Sequence, residues 1–180
     1  MDLFEKTISN EIIYEGKIFN LEKVRVLLPN GKFSERDIVR HNGAVAIIAV
    51  KDNGKIVFVE QFRKPIDKVL LEVPAGKLEK NEDHEKCALR ELEEETGYKA
   101  KTIKFLGEIV MAPGFADEII YLYYASGLHK GLKGGDEDEF INLHEFDLDE
   151  INDMIIQGKI FDSKNICAIK FLENFILNNK

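Results

Sequence analysis

The sequence predicts a mixed α and β fold in which helices cover both sides of a mixed sheet, preceded by an antiparallel β region. Three observations support this prediction. The first 75 residues form short apolar or alternating segments between turn residues, one long helical pattern follows, and further strand patterns precede two closing helical patterns. With 180 residues, 44% of them hydrophobic, the chain can bury one ordinary core.

The amino-terminal part is predicted to be made of strands. Six segments have strand patterns: residues 12–14, 19–28, 33–40, 44–50, 55–61 and 69–73. The turn triplet Pro29-Asn30-Gly31 separates the second segment from the third, and Asp52-Asn53-Gly54 separates the fourth from the fifth. Both triplets are typical of hairpins, so we expect antiparallel pairing at these two places.

A helix is predicted to begin at Asn81, which can cap it, and the acidic residues that follow suit the positive end of the helix dipole. No residue from 82 to 96 breaks a helix, and Gly97 is a typical helix stop. The core stripe expected for this helix consists of Ala88, Leu89, Leu92 and Thr96. Strands are predicted at residues 102–111, 118–125 and 140–146, and helices at residues 148–157 and 163–177.

Composition and charge exclude several classes of protein. A net charge of −8 argues against a general nucleic-acid binder, which needs a basic face. The longest apolar run, residues 44–50, is too short to span a bilayer, and the first residues lack the pattern of a signal peptide. We therefore expect a cytoplasmic protein without a nucleic-acid or membrane partner. Cys87, Cys167 and the four histidines show no zinc-site spacing.

The predicted central helix carries a cluster of acids. Glu91, Glu94 and Glu95 stand at i, i+3 and i+4, so their carboxylates share one face. Like charges at this spacing destabilise a helix by a few tenths of a kcal/mol per pair. Two interpretations remain open at this point: a solvated acidic surface, or a site where a divalent cation removes the repulsion.

A wider frame surrounds these acids. Its fixed positions are Gly76, Glu82, Arg90, Glu91, Glu94, Glu95 and Gly97. Their intervals resemble the Nudix box: Gly, five residues, Glu, seven residues, Arg-Glu, an aliphatic, any residue, Glu-Glu, any residue, Gly, an aliphatic. Tyr98 departs from the box, because an aliphatic is commoner in that slot; the slot is a packing position, so only local packing is affected.

The chemistry of this family explains the residue types. A pyrophosphate repels an attacking hydroxide, and magnesium ions held by carboxylates neutralise the phosphates and lower the pKa of a bound water. The resemblance implies Glu91, Glu95 and the backbone carbonyl of Ala75 as metal ligands. It implies Glu94 and Arg90 as catalytic residues, Glu94 near the metals and Arg90 fixing a box carboxylate. The implied cofactor is Mg²⁺, with Mn²⁺ as a substitute.

The resemblance is to the ADP-ribose pyrophosphatase branch of the family, from about Tyr14 to the final helix. It is most specific at four places: Glu60-Gln61-Phe62-Arg63, Pro113 sixteen residues after Gly97, residues 35–41 and the acidic run 136–139. In this branch the acidic run closes over the metals, so Glu137 matches a general base and Glu139 a further metal ligand. A solvated loop, or an alignment slip of two positions, is the alternative for this run.

The resemblance further implies where the substrate binds. The predicted substrate-binding residues are Arg36, Arg40, Arg63, Lys77 and Glu118. Guanidinium groups can hold a diphosphate with two parallel hydrogen bonds, and a glutamate can accept from a ribose hydroxyl. For any one of the arginines alone, an ordinary surface salt bridge is the alternative, and for Lys77 a solvent-exposed side chain.

The sequence therefore predicts a Nudix α/β/α sandwich at residues 43–180, with an amino-terminal β region at residues 1–42 that mediates homodimerisation. The predicted reaction is the hydrolysis of ADP-ribose to AMP and ribose 5-phosphate. The rivals are hydrolysis of another nucleoside diphosphate sugar, such as GDP-mannose, hydrolysis of a dinucleoside polyphosphate, and a catalytically silent domain that senses ADP-ribose.

Overall fold

The computed structural model describes residues 2–132 and 140–179. The chain divides into two compact units, one made of Met1–Gly43 and Val110–Ile119, the other of Ala44–Ile109 and Ile120–Lys180. The predicted mixed α and β fold with a mixed sheet is confirmed. No helix in the described part of the chain is long and apolar enough to cross a membrane.

The first unit contains three antiparallel strands in the order β1 (Lys6–Glu15), β2 (Phe19–Leu27) and β3 (Phe33–His41). The turn after β2 closes with a hydrogen bond from the Gly31 amide to the Leu28 carbonyl, and Gly31 has the positive φ that this turn needs. β1 begins six residues before the predicted segment. All its residues are exposed, so pairing with β2 defines this strand and no burial pattern marks its start.

The second unit contains the remaining elements. Its strands are β4 (Ala44–Ala49), β5 (Ile56–Arg63), β6 (Lys68–Glu72), β7 (Ala75–Lys77), β8 (Tyr98–Lys99), β9 (Thr102–Val110), β10 (Ile119–Ser126), β11 (His129–Lys130) and β12 (Ile141–Phe146). Its helices are α1 (His84–Thr96), α2 (Leu148–Ile156) and α3 (Ser163–Asn178). A short 3-10 turn, Lys64–Ile66, joins β5 to β6.

Two sheets organise this unit. One has the order β7-β4-β10-β9 and is mixed, because β4 runs parallel to β10 and antiparallel to β7. The other has the antiparallel order β12-β5-β6. The short β7 lies beside β4 in the first sheet and precedes the connection to α1, and it places the box glycine, Gly76, against Glu91 in the middle of that helix.

The core lies around β4, in which every residue is buried. Val45, Ile47 and Ala49 point to one face and form a cluster with Ala88 and Leu92 of α1. The alternate residues of β4 point to the opposite face, and α3 is the other helix that packs against this strand. A strand buried on both faces explains why residues 44–49 form a continuous apolar run.

Two predictions about α1 are wrong. Asp83, not Asn81, caps the helix, because its carboxylate accepts hydrogen bonds from the amides of Glu85 and Lys86 at 3.1 Å. Asn81 instead adopts a left-handed conformation with φ 64°, which asparagine tolerates better than most residues. Leu89 is 38% exposed and lies outside the core stripe. The buried residues of α1 are Cys87, Ala88, Leu92, Glu95 and Thr96.

Asn165 fixes the first turn of α3 to the end of β6. Its side chain is fully buried, its Oδ1 accepts from the Val73 amide at 2.9 Å, and its Nδ2 donates to the Leu71 carbonyl at 3.0 Å. These bonds satisfy the carbonyl of Leu71, within β6, and the amide of Val73, just after this strand. They therefore hold the segment that leads into β7 against α3.

We expect Asn165→Ala to lower the free energy of unfolding by roughly 2–4 kcal/mol, because it leaves two buried backbone groups without partners. Urea denaturation followed by circular dichroism measures this change. Asn142→Ala is the matched control, since Asn142 is exposed and donates to Glu60 at the surface. An equal loss in both variants would contradict the structural role of Asn165.

Candidate active site

Gly76 permits a close approach between β7 and α1. A Cβ atom at this position would lie 1.9 Å from Cδ of Glu91, which is far inside van der Waals contact. Gly76 also pairs with Val45 across the sheet, so the backbone cannot move away easily. Glycine is therefore required here because the Glu91 carboxylate occupies the space of a side chain.

Arg90 binds three carboxylates at once. Its Nε and Nη2 donate to the two oxygens of Glu82, each at 3.0 Å. Its Nη1 donates to Glu91 at 2.8 Å and to Glu94 at 2.9 Å. Nη2 also donates to the Lys77 carbonyl at 3.3 Å, at the end of β7. Arg90 thus holds two acids of the helix face in fixed rotamers and links α1 to β7.

The hydrogen bonds between Arg90 and Glu82 stabilise the ionised forms of both side chains. Hydrogen bonding to Glu82 is the main cause that raises the pKa of Arg90 above its usual value. The reciprocal bonds from Arg90 lower the pKa of Glu82 to about 2. Burial raises the pKa of the neighbouring Cys87 thiol to about 12, so this thiol stays protonated at neutral pH.

Glu95 is an acid in a core position, only 4% exposed. Its Oε2 accepts a hydrogen bond from the Ala75 amide at 3.0 Å. The structure therefore brings together Ala75 and Glu95, and separately Gly76 and Glu91, on the side of β7 that faces α1. Five of the predicted metal-binding and catalytic positions lie in β7 and α1, namely Ala75, Arg90, Glu91, Glu94 and Glu95.

The donor chemistry of this region suits a hard divalent cation, because carboxylate and carbonyl oxygens are the ligands that Mg²⁺ prefers. The side chains are arranged around Arg90 instead. Within the described residues, no group of three or more His, Cys, Asp or Glu side chains is placed so that it could hold a metal ion. The positive charge that balances Glu91 and Glu94 in this structure is the Arg90 guanidinium.

Arg63, at the end of β5, is bound by a buried acid. Its Nε donates to Glu72 at 2.6 Å and its Nη2 at 3.0 Å, and Glu72 also accepts from Lys164. Hydrogen bonding to Glu72 is the main cause that raises the pKa of Arg63, and the charge of Glu95 adds to it. Arg63 therefore lies within electrostatic range of the box.

Arg36 and Arg40 belong to the first unit, on β3. Arg36 forms a two-bond ion pair with Glu5, at 2.6 and 3.0 Å. Arg40 donates to Glu22 at 2.9 Å and to Asp117 at 3.1 Å. Both guanidinium groups are partly exposed. Both arginines therefore form ion pairs, the alternative given for them from the sequence, and their contact with a substrate remains a prediction.

Glu118 and Lys77 complete the predicted substrate-binding set. Glu118 lies in the first unit, 3.6 Å from Nδ1 of His41, and is partly exposed. Lys77 ends β7 in the second unit and is exposed, and its backbone carbonyl accepts from Arg90. These placements leave the side chains of both residues accessible to solvent.

Glu137 and Glu139 lie outside the described residues. The described chain stops at Leu132, whose amide donates to Oε1 of Glu93 at 3.0 Å. Lys99 pairs with the same oxygen at 3.3 Å. Glu93 occupies a variable position of the box, so Leu132, four residues before the acidic run, is hydrogen-bonded to the box helix.

Sequence reasoning missed Glu72, Lys164 and Asp162. Glu72 is a lone acid at the end of the apolar segment 69–73, which is a recognisable signal for a buried ion pair. Lys164 and Asp162 carry no such signal. They are ninety or more positions away in the sequence, and only the packing of α3 brings them to Glu72.

Comparisons with known proteins show related sequences and a related fold. The family described as NUDIX domain matches residues 40–167. The chain is 52% identical to "Methanol dehydrogenase activator" of Bacillus methanolicus, covering 94% of this chain and 92% of that protein. It is 47% identical to "ADP-ribose pyrophosphatase" of Bacillus subtilis, covering 95% and 94%. The solved "ADP compounds hydrolase" has the same fold, with a TM-score of 0.89, 21% identity and coverage of 99% and 98%.

We expect Glu72 to make stability depend on pH. Burial alone would raise its pKa, but the bonds from Arg63 and the charge of Lys164 outweigh burial, so the pKa is lowered. A lowered folded-state pKa gives stability that is present above the unfolded value, about 4.3, and lost as pH falls through the folded value. Glu72→Gln should cost about 3 kcal/mol at pH 7, the low end for a buried pair, because Arg63 is partly exposed.

Urea denaturation between pH 7 and pH 3 measures this effect. The difference between the native chain and Glu72→Gln should be constant at neutral pH and shrink as pH falls below about 4. Glu35→Gln serves as the control, because Glu35 is an exposed acid with a 3.9 Å ion pair to Lys23. A difference that stays constant down to pH 3 would contradict the ionised state of Glu72.

Proposed function

This chain belongs to the Nudix family, and on that basis we propose that it hydrolyses the pyrophosphate bond of ADP-ribose to AMP and ribose 5-phosphate with a divalent cation. The main support is the arrangement of the box: β7 and α1 bring Glu95 to the Ala75 amide, and Arg90 holds Glu91 and Glu94 next to the end of β7. Support for ADP-ribose as substrate comes from the 47% identity to an ADP-ribose pyrophosphatase over nearly the whole length of both chains.

In the proposed reaction Glu91, Glu95 and the Ala75 carbonyl hold Mg²⁺, for which Mn²⁺ can substitute. The cation, when bound, neutralises the diphosphate and acidifies a water molecule. Arg90 orients the Glu91 and Glu94 carboxylates, and its bond to the Lys77 carbonyl fixes the distance between α1 and β7.

Substrate binding is proposed for Arg36, Arg40, Arg63, Lys77 and Glu118. Of these, Arg63 has the best-defined geometry. Its pair with Glu72 uses Nε and one hydrogen of Nη2, which leaves three guanidinium hydrogens for a phosphate group. Glu137 as general base and Glu139 as an additional ligand also remain part of the proposal.

Residues 1–42 are proposed to mediate a homodimer. Every residue of β1 is exposed, including the large apolar side chains of Ile8, Ile12, Ile13 and Tyr14. An exposed apolar strand is a common site of association between chains. Sedimentation equilibrium of the full chain tests this proposal, as fractionation of the source cells tests the proposed cytoplasmic location.

A second function, activation of a methanol dehydrogenase, follows from the relative with 52% identity. Both this relative and the ADP-ribose pyrophosphatase match nearly the whole of this chain, so we propose activation as an addition to hydrolysis and not as a replacement for it. Adding the purified chain to a methanol dehydrogenase and measuring its rate tests this function. A box variant without hydrolase activity, added in the same assay, shows whether any activation depends on hydrolysis.

We expect Glu95→Gln to lower turnover by more than about a hundredfold while the fold persists. The glutamine oxygen can still accept from the Ala75 amide, so β7 keeps its position, but the negative charge is lost. Steady-state rates at saturating Mg²⁺ and thermal unfolding curves measure the two effects. Glu85→Gln, an exposed acid on the same helix, is the control. A nearly normal rate for Glu95→Gln would overturn the metal assignment.

We expect ADP-ribose to be the best substrate in a panel with GDP-mannose, ADP-glucose, NADH and diadenosine polyphosphates. Arg63→Ala should weaken substrate binding by roughly 1.5–3 kcal/mol, because a charge-assisted hydrogen bond is lost. Chromatographic identification of AMP and ribose 5-phosphate checks the reaction. A panel led by GDP-mannose would retain the hydrolase mechanism and overturn the choice of sugar. Binding of ADP-ribose without formation of products would favour a catalytically silent domain that senses ADP-ribose.

A further inference from the structure

A network of four charged side chains, two of them buried, lies where β6 ends and α3 begins. Glu72, 3% exposed, accepts from Arg63 at 2.6 Å and from Lys164 at 2.5 Å. Lys164, 8% exposed, donates in turn to Asp162 at 2.6 Å. Two positive and two negative side chains make the network neutral, so burial leaves no uncompensated charge in it.

The network determines the orientation of Arg63. Oε1 and Oε2 of Glu72 bind Nε and Nη2 of the guanidinium, which fixes the plane of the group. Lys164 binds the same Oε2 and so limits rotation of the Glu72 carboxylate. The Arg63 side chain remains 38% exposed, so its unused donors are accessible to a ligand.

Lys164 is poorly placed to bind a substrate itself. Only 10% of its side chain is exposed, and its ammonium group is engaged by Glu72 and Asp162. It is also not needed as the attachment of α3, because Asn165 already fixes the helix to the backbone at Leu71 and Val73. Because Lys164 has neither of these roles, its buried charge acts on the groups that it contacts, Glu72 and Asp162.

We propose that Lys164 is a positioning residue, which holds Glu72 and thereby the Arg63 guanidinium in the orientation that binds a substrate phosphate. The proposal rests on the proposed function, in which Arg63 contacts the diphosphate. In this proposal Asp162 holds Lys164, Lys164 holds Glu72, and Glu72 holds Arg63. Loss of Lys164 should therefore weaken substrate binding with little effect on the chemical step.

The test compares steady-state kinetics of three variants on the best nucleoside diphosphate sugar of the panel. Lys164→Met should raise KM roughly three- to tenfold and change kcat less than about twofold. Lys164→Arg, which retains the charge, should restore KM to within about twofold of the native value. Lys170→Met is the matched control, because Lys170 lies on the same helix, is 66% exposed and pairs with Glu173 at the surface.

A double-mutant cycle with Arg63→Gln separates positioning from a general loss of structure. If Lys164 acts through Arg63, adding Lys164→Met to Arg63→Gln should leave KM unchanged within about twofold. If the two substitutions raise KM by factors that multiply in the double variant, the proposal is overturned. It is also overturned if Lys164→Met has a normal KM while Arg63→Gln has a raised KM. A normal KM for Arg63→Gln would overturn it as well.

Two further outcomes are distinguishable. If Lys164→Met does not fold, Asp162→Asn provides the test, because it loosens Lys164 without exposing Glu72. A raised KM for Asp162→Asn would then support the proposal, and an unchanged KM would overturn it. Failure of the proposed function is seen in the native chain, because no member of the panel is then hydrolysed, and the positioning role falls with it. Hydrolysis by the native chain with a kcat defect, not a KM defect, in Lys164→Met overturns the positioning role alone.

Discussion

The repulsion among acids on one face of α1 is the constraint on which the rest of the site depends. Glu91 and Glu94 would destabilise the helix if they stood alone, and Arg90 balances both while it also binds Glu82. A single guanidinium can do this because its donors point in fixed directions within one plane. The same group reaches the Lys77 carbonyl, so the charge balance of the helix also sets its distance from β7.

The consequences of this arrangement appear in the backbone around it. Gly76 has no side chain because the Glu91 carboxylate fills that space, and Glu95 occupies a core position because the Ala75 amide provides a donor for it. Buried polar groups are stable only when they are hydrogen-bonded. The acids that are proposed to hold a cation are therefore also structural residues of the β7–α1 contact, and substitutions that keep their shape separate the two roles.

The interior behind this contact uses the same principle. Glu72 joins β6 to α3 through Lys164, while Asn165 joins the same two elements without charge. The two attachments differ in what they act on, since Asn165 binds backbone and Glu72 binds the exposed Arg63. A hydrogen-bonded clamp and a charged network placed side by side allow the fold to be stable and the guanidinium to be oriented at the same time.

The sequence by itself determined the mixed α and β fold, the bounds of most strands to within two residues and the box positions, because periodicity and fixed spacing are local properties of the chain. It failed at Asn81 and Leu89, where the cap and the buried face of α1 depend on contacts: Asp83 captures the helix amides, and an acid, Glu95, turns inward to the Ala75 amide. Only the tertiary structure decided that Arg63 is bound by Glu72 and Lys164. Those partners are distant in sequence, and a buried ion pair is set by packing, which no local pattern records.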